Sequence, residues 1–250
     1  MTKKLLITHV RNEELYLRGW LRHHRPLFDH GVIILTPSED ATARIIADEV
    51  PDWTVVGPWS PKLTTGVLER QIESIELEYP SWWKMCLTVT EYLLTRDLGP
   101  ILDRAPGPAL LVSGYGLVDS EAERSLPYDP ATPVFLQRRH GFSMREVEVA
   151  DRNWGRRLVH CHAQGQYGPG RHWTHHRDAV DFDGLRLARA FYAPFNEWGV
   201  ARKLGMSAGI SDLDKAKGHC YEHFLTRDQM EAEYEKLLAK SRSLDAELEV

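Results

Sequence analysis

Two hydroxyls and a carboxylate stand together in Thr88-Val89-Thr90-Glu91, directly after the apolar run Trp82-Trp83-Lys84-Met85-Cys86-Leu87. Side chains alternate along a strand, so Thr88 and Thr90 share one face. An apolar strand that turns polar at its end delivers side chains to a cleft, although solvated polar strand ends are also common. A second group is the run of histidines His160, His162, His172, His175 and His176, beside Arg171 and Arg177. His160 and His162 fall on one strand face and, with His172, could hold a transition metal. The segment carries no compact ligand signature, so the alternative is a set of surface and hydrogen-bonded imidazoles, and no metal ligand is assigned.

The elements that must position these residues follow a regular alternation. Lys4-Leu5-Leu6-Ile7-Thr8-His9-Val10 is short, apolar and β-compatible, and it runs into Asn12-Glu13-Glu14, a cap residue followed by acids suited to a first helical turn. The helix carries Leu17, Leu21 and His24 on one stripe, with Trp20 beside it, and Pro26 ends it. Gly31-Val32-Ile33-Ile34-Leu35 reads as a strand covered on both faces, and Thr36-Pro37-Ser38-Glu39-Asp40 as the loop before a helix over 41–49. A strand at Trp53-Thr54-Val55-Val56, a helix over 66–78 and the Trp82–Leu87 strand continue the pattern.

Strands alternating with helices at these intervals predict an α/β fold, a mainly parallel sheet with helices on both faces, with ligands beyond the carboxyl ends of the strands. Arg11 to Glu13, Thr36 to Asp40 and Thr88 to Glu91 then share one rim.

The second half is less regular. Strands are expected at Ala109–Ser113, Val134-Phe135-Leu136, Glu146–Val149 and Arg157–His160, and irregular chain over 163–174. Thr226 with Gln229 three residues later forms a capping box for a C-terminal helix over 226–250. The expected organisation is one domain: a lobe over 1–113, a second over 114–225, and that helix.

Composition bounds the function. With 250 residues and 42% hydrophobic content the chain can bury a proper core. No run approaches the ~18 apolar residues of a membrane helix, and the first ten residues reach Arg11-Asn12-Glu13 too soon for a secretory segment. Three cysteines without a CxxC pair suit a reducing compartment, so a cytoplasmic location is expected. A net charge of -5 argues against a general nucleic-acid binder.

The order Val10-Arg11-Asn12-Glu13-Glu14, Tyr16-Leu17-x-x-Trp20-Leu21-x-His23-His24, Val32-Ile33-Ile34 and Ser38-x-Asp40 resembles the opening of the family 2 glycosyltransferases. The likeness is to a bacterial subgroup with the text RNE, a WLxHH-like helix, a DNxSxD-like loop and a DxDEF strand end. Thr88-Val89-Thr90-Glu91-Tyr92-Leu93 falls where DxDEFL is expected. Gly170-Arg171-His172 and Phe195-Asn196-Glu197-Trp198 with Lys203 resemble later landmarks.

The resemblance implies a GT-A fold and sugar transfer from a nucleotide-sugar donor to an acceptor hydroxyl, with inversion and a divalent ion, Mn or Mg, on the diphosphate. It implies donor-binding roles for Arg11, Asn12, Glu13, Thr36, Thr88 and Thr90, and a site role for Glu91. Asp119 is a candidate base, with a turn-capping aspartate as the alternative.

The chain departs from the family text where it matters. Both DxD aspartates are threonines, Thr88 and Thr90, and the loop aspartate is Thr36, which removes the charged anchors of a hard cation. One reading is an enzyme with weak or no metal dependence, in which Arg171, His172 and Lys203 face the leaving phosphates as fixed cations. The other is a catalytically inactive nucleotide- or glycan-binding protein on the same scaffold. The acceptor is open among a glycan, a small molecule, a peptide and a modified nucleobase. Any of Trp154, Trp173 and Trp198 could stack on a sugar or base, with core packing as the alternative.

Overall fold

The computed structural model describes residues 2–145, 155–220 and 223–249. Its first half is built on β1 (Lys4–Val10), α1 (Leu17–His24), β2 (His30–Leu35), α2 (Thr42–Glu49), β3 (Thr54–Val56), α3 (Thr65–Leu77) and β4 (Trp83–Cys86). β1 lies centrally, paired in parallel with β2 and β4, and β2 pairs in parallel with β3. Alternation along β1 explains the two layers. Leu6 and Val10 pack with Leu17, Trp20 and Leu21 of α1 and Ile45 and Ile46 of α2. Leu5 and Ile7 pack on the other face with Val32, Ile34 and Leu68, Ile72 and Ile75 of α3. Each such side chain contributes ~1.5–3 kcal/mol relative to exposure, so the apolar runs leave few alternatives to this sandwich.

The second half adds β5 (Glu91–Leu93), α4 (Gly99–Leu102), β6 (Ala109–Val118), α5 (Glu121–Arg124), α6 (Val134–Gln137), β7 (His140–Ser143), β8 (Arg157–His160), β9 (Val180–Tyr192), α7 (Glu197–Gly205), α8 (Asp212–Ala216), α9 (Arg227–Leu238) and β10 (Arg242–Ser243). The sheet order is β10-β7-β6-β8-β4-β1-β2-β3. β8 joins the halves, antiparallel to both β4 and β6. β9 runs parallel to β6 and antiparallel to β5, so it returns toward the end of β4. The fold is α/β as expected, with parallel strands in the first half and, in the second, antiparallel additions together with the parallel pair β6 and β9.

Several local expectations change. Val134-Phe135-Leu136 is a helical turn rather than a strand, because Pro133 starts it and Val134 and Phe135 are buried in the main core. The C-terminal helix stops at Leu238, after which β10 pairs with β7. The strand expected to end at Ser113 continues to Val118. The expected Glu146–Val149 strand and Trp154 lie outside the described residues. Among the described residues no helix is long and apolar enough to cross a membrane.

Gly114 explains the continuation of β6. A Cβ there would sit 1.9 Å from the Leu187 carbonyl oxygen of β9, so only glycine allows the two strands to meet. Gly114→Ala is expected to destabilise the protein by ~2–3 kcal/mol through forced separation of the strands, measurable by urea unfolding.

Candidate functional site

The carboxyl ends of β1, β2 and β4 open onto two adjoining cavities, of about 150 and about 80 Å³, which share His9, Glu13 and Met206. Thr88 and Thr90 line the larger one and Thr36 and Arg11 the smaller. The early strand ends therefore converge, as the parallel alternation predicts.

Thr88 and Thr90 lie in the turn after β4, with their hydroxyl oxygens 3.0 Å apart. Glu91 closes that turn. Its backbone N–H donates to the Thr88 carbonyl at 3.0 Å, and its Oε2 accepts the Thr88 N–H at 2.9 Å. The Glu91 carboxylate itself is buried and lines neither cavity. Arg157 grips it with two bonds, Nε to Oε2 at 2.8 Å and Nη2 to Oε1 at 2.7 Å. Burial pushes its pKa up, but Arg157 and Arg189 outweigh burial and hold it below the usual glutamate value. Glu91 is thus a positioning residue that holds the threonine turn, not a group facing substrate.

Asp119 is also withdrawn. It is buried at the end of β6, where Oδ2 accepts the Phe195 N–H at 2.9 Å and Oδ1 lies 3.2 Å from Arg138 Nε. Burial pushes its pKa up to about 6. Its place is to brace the chain entering α7, and it lines neither cavity. The candidate base Asp119 thus stands away from the strand-end cavities.

Of Arg11, Asn12 and Glu13, the first and third reach the cavities. Asn12 takes a left-handed backbone (φ 53°) and staples two loops: its N–H donates to Ser38 Oγ at 3.1 Å and its Oδ1 accepts the Glu39 N–H at 2.9 Å. Glu13 is locked in a bidentate pair with Arg202, both contacts at 2.7 Å. Burial raises its pKa despite that partner.

The expected cationic trio divides. Arg171 is buried against Glu69, 3.4 Å away, and lines neither cavity. His172 is not a cation: its Nδ1 accepts from Arg157 Nη1 at 2.8 Å. Burial, then Arg157, Arg189 and Arg171, lower its pKa well below the usual histidine range. Lys203 does line the larger cavity, with Nζ 3.4 Å from the centre of the Tyr192 ring.

Four groups that sequence reasoning missed complete the wall. Arg189 comes from β9, brought beside the threonine turn because Ala190 N–H donates to the Thr90 carbonyl at 2.8 Å. Its Nη1 is buried without a hydrogen bond among the described residues. His223 lines the same cavity, its pKa pushed down to about 3 by burial and then by Lys203, Arg202 and Arg189. His9, at the junction of the cavities, is pushed down to about 3 by burial and then by Arg171 and Arg157. Glu233 of α9 faces the larger cavity and accepts a hydrogen bond from the Tyr192 hydroxyl. Arg189 arrives from a segment carrying no motif, and Glu233 from the helix that the Thr226–Gln229 capping box marks, where nothing local singles it out.

The arrangement is a cationic pocket with neutral imidazoles and one wall of apolar side chains, including Phe142, Phe191, Met230 and Leu237. The donor set does not suit a hard divalent cation. Thr88 and Thr90 offer uncharged oxygens bonded to each other, the Glu91 carboxylate that follows them is held by Arg157, and Glu13 is held by Arg202.

The histidine segment is also rearranged. His160 is fully buried, with Nε2 3.1 Å from Glu76 and 3.2 Å from the Tyr167 hydroxyl, and His172 serves Arg157, so these two follow the alternative of hydrogen-bonded imidazoles rather than a metal trio with His162. Trp173 and Trp198 are exposed and line neither cavity.

No family model and no curated protein sequence matches the chain. Among solved structures it is similar to S. aureus TarS, with a TM-score of 0.36 and 15% identity over 50% of this chain and 23% of that one. A TarS structure covering residues 1–349 gives a TM-score of 0.44 and 10% identity over 96% of this chain and 70% of that one. The galactosyltransferase LgtC, solved with donor and acceptor sugar analogs, gives 0.26 and 12% over 63% of this chain and 58% of that one. The chain spans less than a quarter of the longer TarS chain.

Proposed function

We propose that the chain is a GT-A-type glycosyltransferase that moves a sugar from a nucleotide-sugar donor to an acceptor hydroxyl with inversion, without dependence on a divalent metal. The observation that carries the reading is Arg189. Among the described residues its Nη1 is buried without a hydrogen bond, on the wall of a cavity at the parallel strand ends that Lys203, Thr88 and Thr90 also line. A buried cationic donor without an acceptor is suited to an anionic ligand, and a diphosphate supplies both charge and lone pairs. The resemblance of the Arg11–Glu14 and Tyr16–His24 text to family 2 glycosyltransferases supplies the reaction class.

The nucleoside occupies the smaller cavity by Thr36 and Arg11, and the diphosphate lies toward Arg189 and Lys203. The acceptor enters along the apolar wall, so an acceptor with apolar surface is favoured. In the transfer, the acceptor oxygen bonds to the anomeric carbon while the bond to the diphosphate oxygen breaks and its electron pair leaves with the nucleoside diphosphate. Arg189 and Lys203 stabilise that developing charge. The acceptor proton passes to Glu233. Of the two carboxylates lining the cavity among the described residues, Glu13 is tied up by Arg202, whereas Glu233 accepts from a neutral hydroxyl.

A panel of nucleoside diphosphates and nucleotide sugars, screened by thermal shift with and without manganese and then assayed for donor hydrolysis and transfer, tests the reading. At least one nucleotide should bind equally well in chelator. Binding without turnover across the acceptor classes would favour the binding-protein alternative, and no nucleotide binding would overturn the transferase and any nucleotide-binding role. Arg189→Met should weaken diphosphate binding roughly 10- to 150-fold, the loss of one charged hydrogen bond of ~1.5–3 kcal/mol, as read by calorimetry.

A further inference from the structure

Outside the cleft, the loop following β8 gathers His162, His176 and Asp178, each offering a ligand atom within 4.8 Å of the others. His162 Nε2 lies 3.2 Å from Oδ1 and 3.1 Å from Oδ2 of Asp178. The two imidazoles lie almost parallel, with centroids 4.0 Å apart and planes at 13°. A tetrahedral ion with bonds of ~2.0–2.1 Å holds its ligand atoms about 3.3 Å apart, so closing this group needs small rotations of partly exposed side chains rather than a backbone change.

The loop is already organised to present the three residues. His176 Nε2 lies 2.7 Å from the Gln164 carbonyl oxygen, the contact by which a backbone carbonyl orients a ligating imidazole. The His176 N–H donates to Thr174 Oγ1 at 3.1 Å, and Thr174 Oγ1 donates to the Gly165 carbonyl at 2.6 Å. Beneath them Glu76 anchors the loop, accepting the Gly165 N–H and the Tyr167 hydroxyl at 2.6 Å each.

We propose that His162, His176 and Asp178 form a binding site for a borderline transition metal of the Zn²⁺ class, with the fourth position taken by water. Two imidazoles and one carboxylate select such an ion over Mg²⁺ or Ca²⁺, which take oxygen ligands. None of the three residues lines either cavity, so the ion is a staple and not a participant in transfer. It closes the loop that carries His172, whose ring supports Arg157 behind the threonine turn. The alternative is a plain His162–Asp178 ion pair with His176 stacked on it.

The test is calorimetric titration of the chelator-treated, dialysed full chain with Zn²⁺, together with the visible absorption of the Co²⁺-loaded protein. One ion per chain, a tetrahedral Co²⁺ spectrum and a Zn²⁺-dependent rise in melting temperature are expected. His162→Ala and His176→Ala should each weaken Zn²⁺ binding at least 10-fold and abolish the thermal shift. Their melting temperatures in chelator should stay near that of the parent. Asp178→Asn, which keeps shape and removes the charge, serves where an alanine variant does not fold. No binding by the parent, or binding by His176→Ala as tight as the parent's, overturns the site. Nucleotide binding measured in chelator tests the transfer reading separately, because it does not depend on this ion.

Discussion

Glu233→Gln is expected to lower the turnover of the proposed sugar transfer by ~10²–10⁴-fold while leaving donor affinity within a few-fold of the parent. The amide keeps the size of the side chain and its hydrogen bond to Tyr192, and loses only the ability to take a proton. Because the proton moves only as the acceptor attacks, the loss belongs to kcat and not to donor binding. The measurement is transfer kinetics with the nucleotide sugar found in the binding panel, alongside calorimetry of the nucleoside diphosphate. Unchanged kcat would remove Glu233 from the reaction. The same variant of Asp119 serves as a contrast: Asp119→Asn disturbs the buried Phe195 and Arg138 contacts, so its damage should appear first in stability.

Arg157→Met is expected to cost ~3–5 kcal/mol of stability, because it strands the Glu91 carboxylate in a buried position. For a chain of this size that corresponds to a melting temperature lower by roughly 6–20 °C. All three guanidinium nitrogens of Arg157 are engaged: two with Glu91, and Nη1 with the Arg156 and Gly170 carbonyls and His172. The double variant Arg157→Met with Glu91→Leu should recover part of the stability, since the Glu91 carboxylate is no longer stranded, although Arg189, whose Nε lies 3.9 Å from Glu91 Oε1, loses that neighbour. It should not recover nucleotide binding, because the Thr88 N–H then loses its acceptor and the turn loosens. A double variant that binds nucleotide like the parent would show that Glu91 does not position the site. The pH dependence follows from the sign of the shift. Glu91 is held below its usual value, so its contribution is complete above the unfolded pKa of ~4.3 and is lost as pH falls through the lower folded value. Acid unfolding of the parent should therefore show a limb below about pH 4 that the double variant lacks.

The first half of the fold was legible because its signals are local. Apolar runs of strand length separated by amphipathic helices admit one arrangement, and β1 to β4 with α1 to α3 fall within a residue or two of their expected bounds, apart from the late start of α1. The position of the cleft followed from that topology, and Thr36, Thr88 and Thr90 reached it. The second half was less legible. β9 carries charges and a glycine over its first five residues, since that part is largely exposed, and the α6 turn is apolar enough to read as a strand.

What the residues of the chain determined unaided was the parallel α/β frame and the rim on which a ligand would sit, because hydrophobic periodicity is written into neighbouring positions. Which charged groups face that rim was decided only by tertiary structure. Glu91, Asp119, Arg171 and His172 are drawn inward by buried partners on other segments of the chain, while Arg189, Lys203 and Glu233 are carried to the cavity by β9, α7 and α9. A carboxylate or guanidinium has the same local sequence whether its partner is protein or substrate. Desolvation and pairing with other segments of the chain fix the difference, as for Glu91 and Arg157 at a separation of 66.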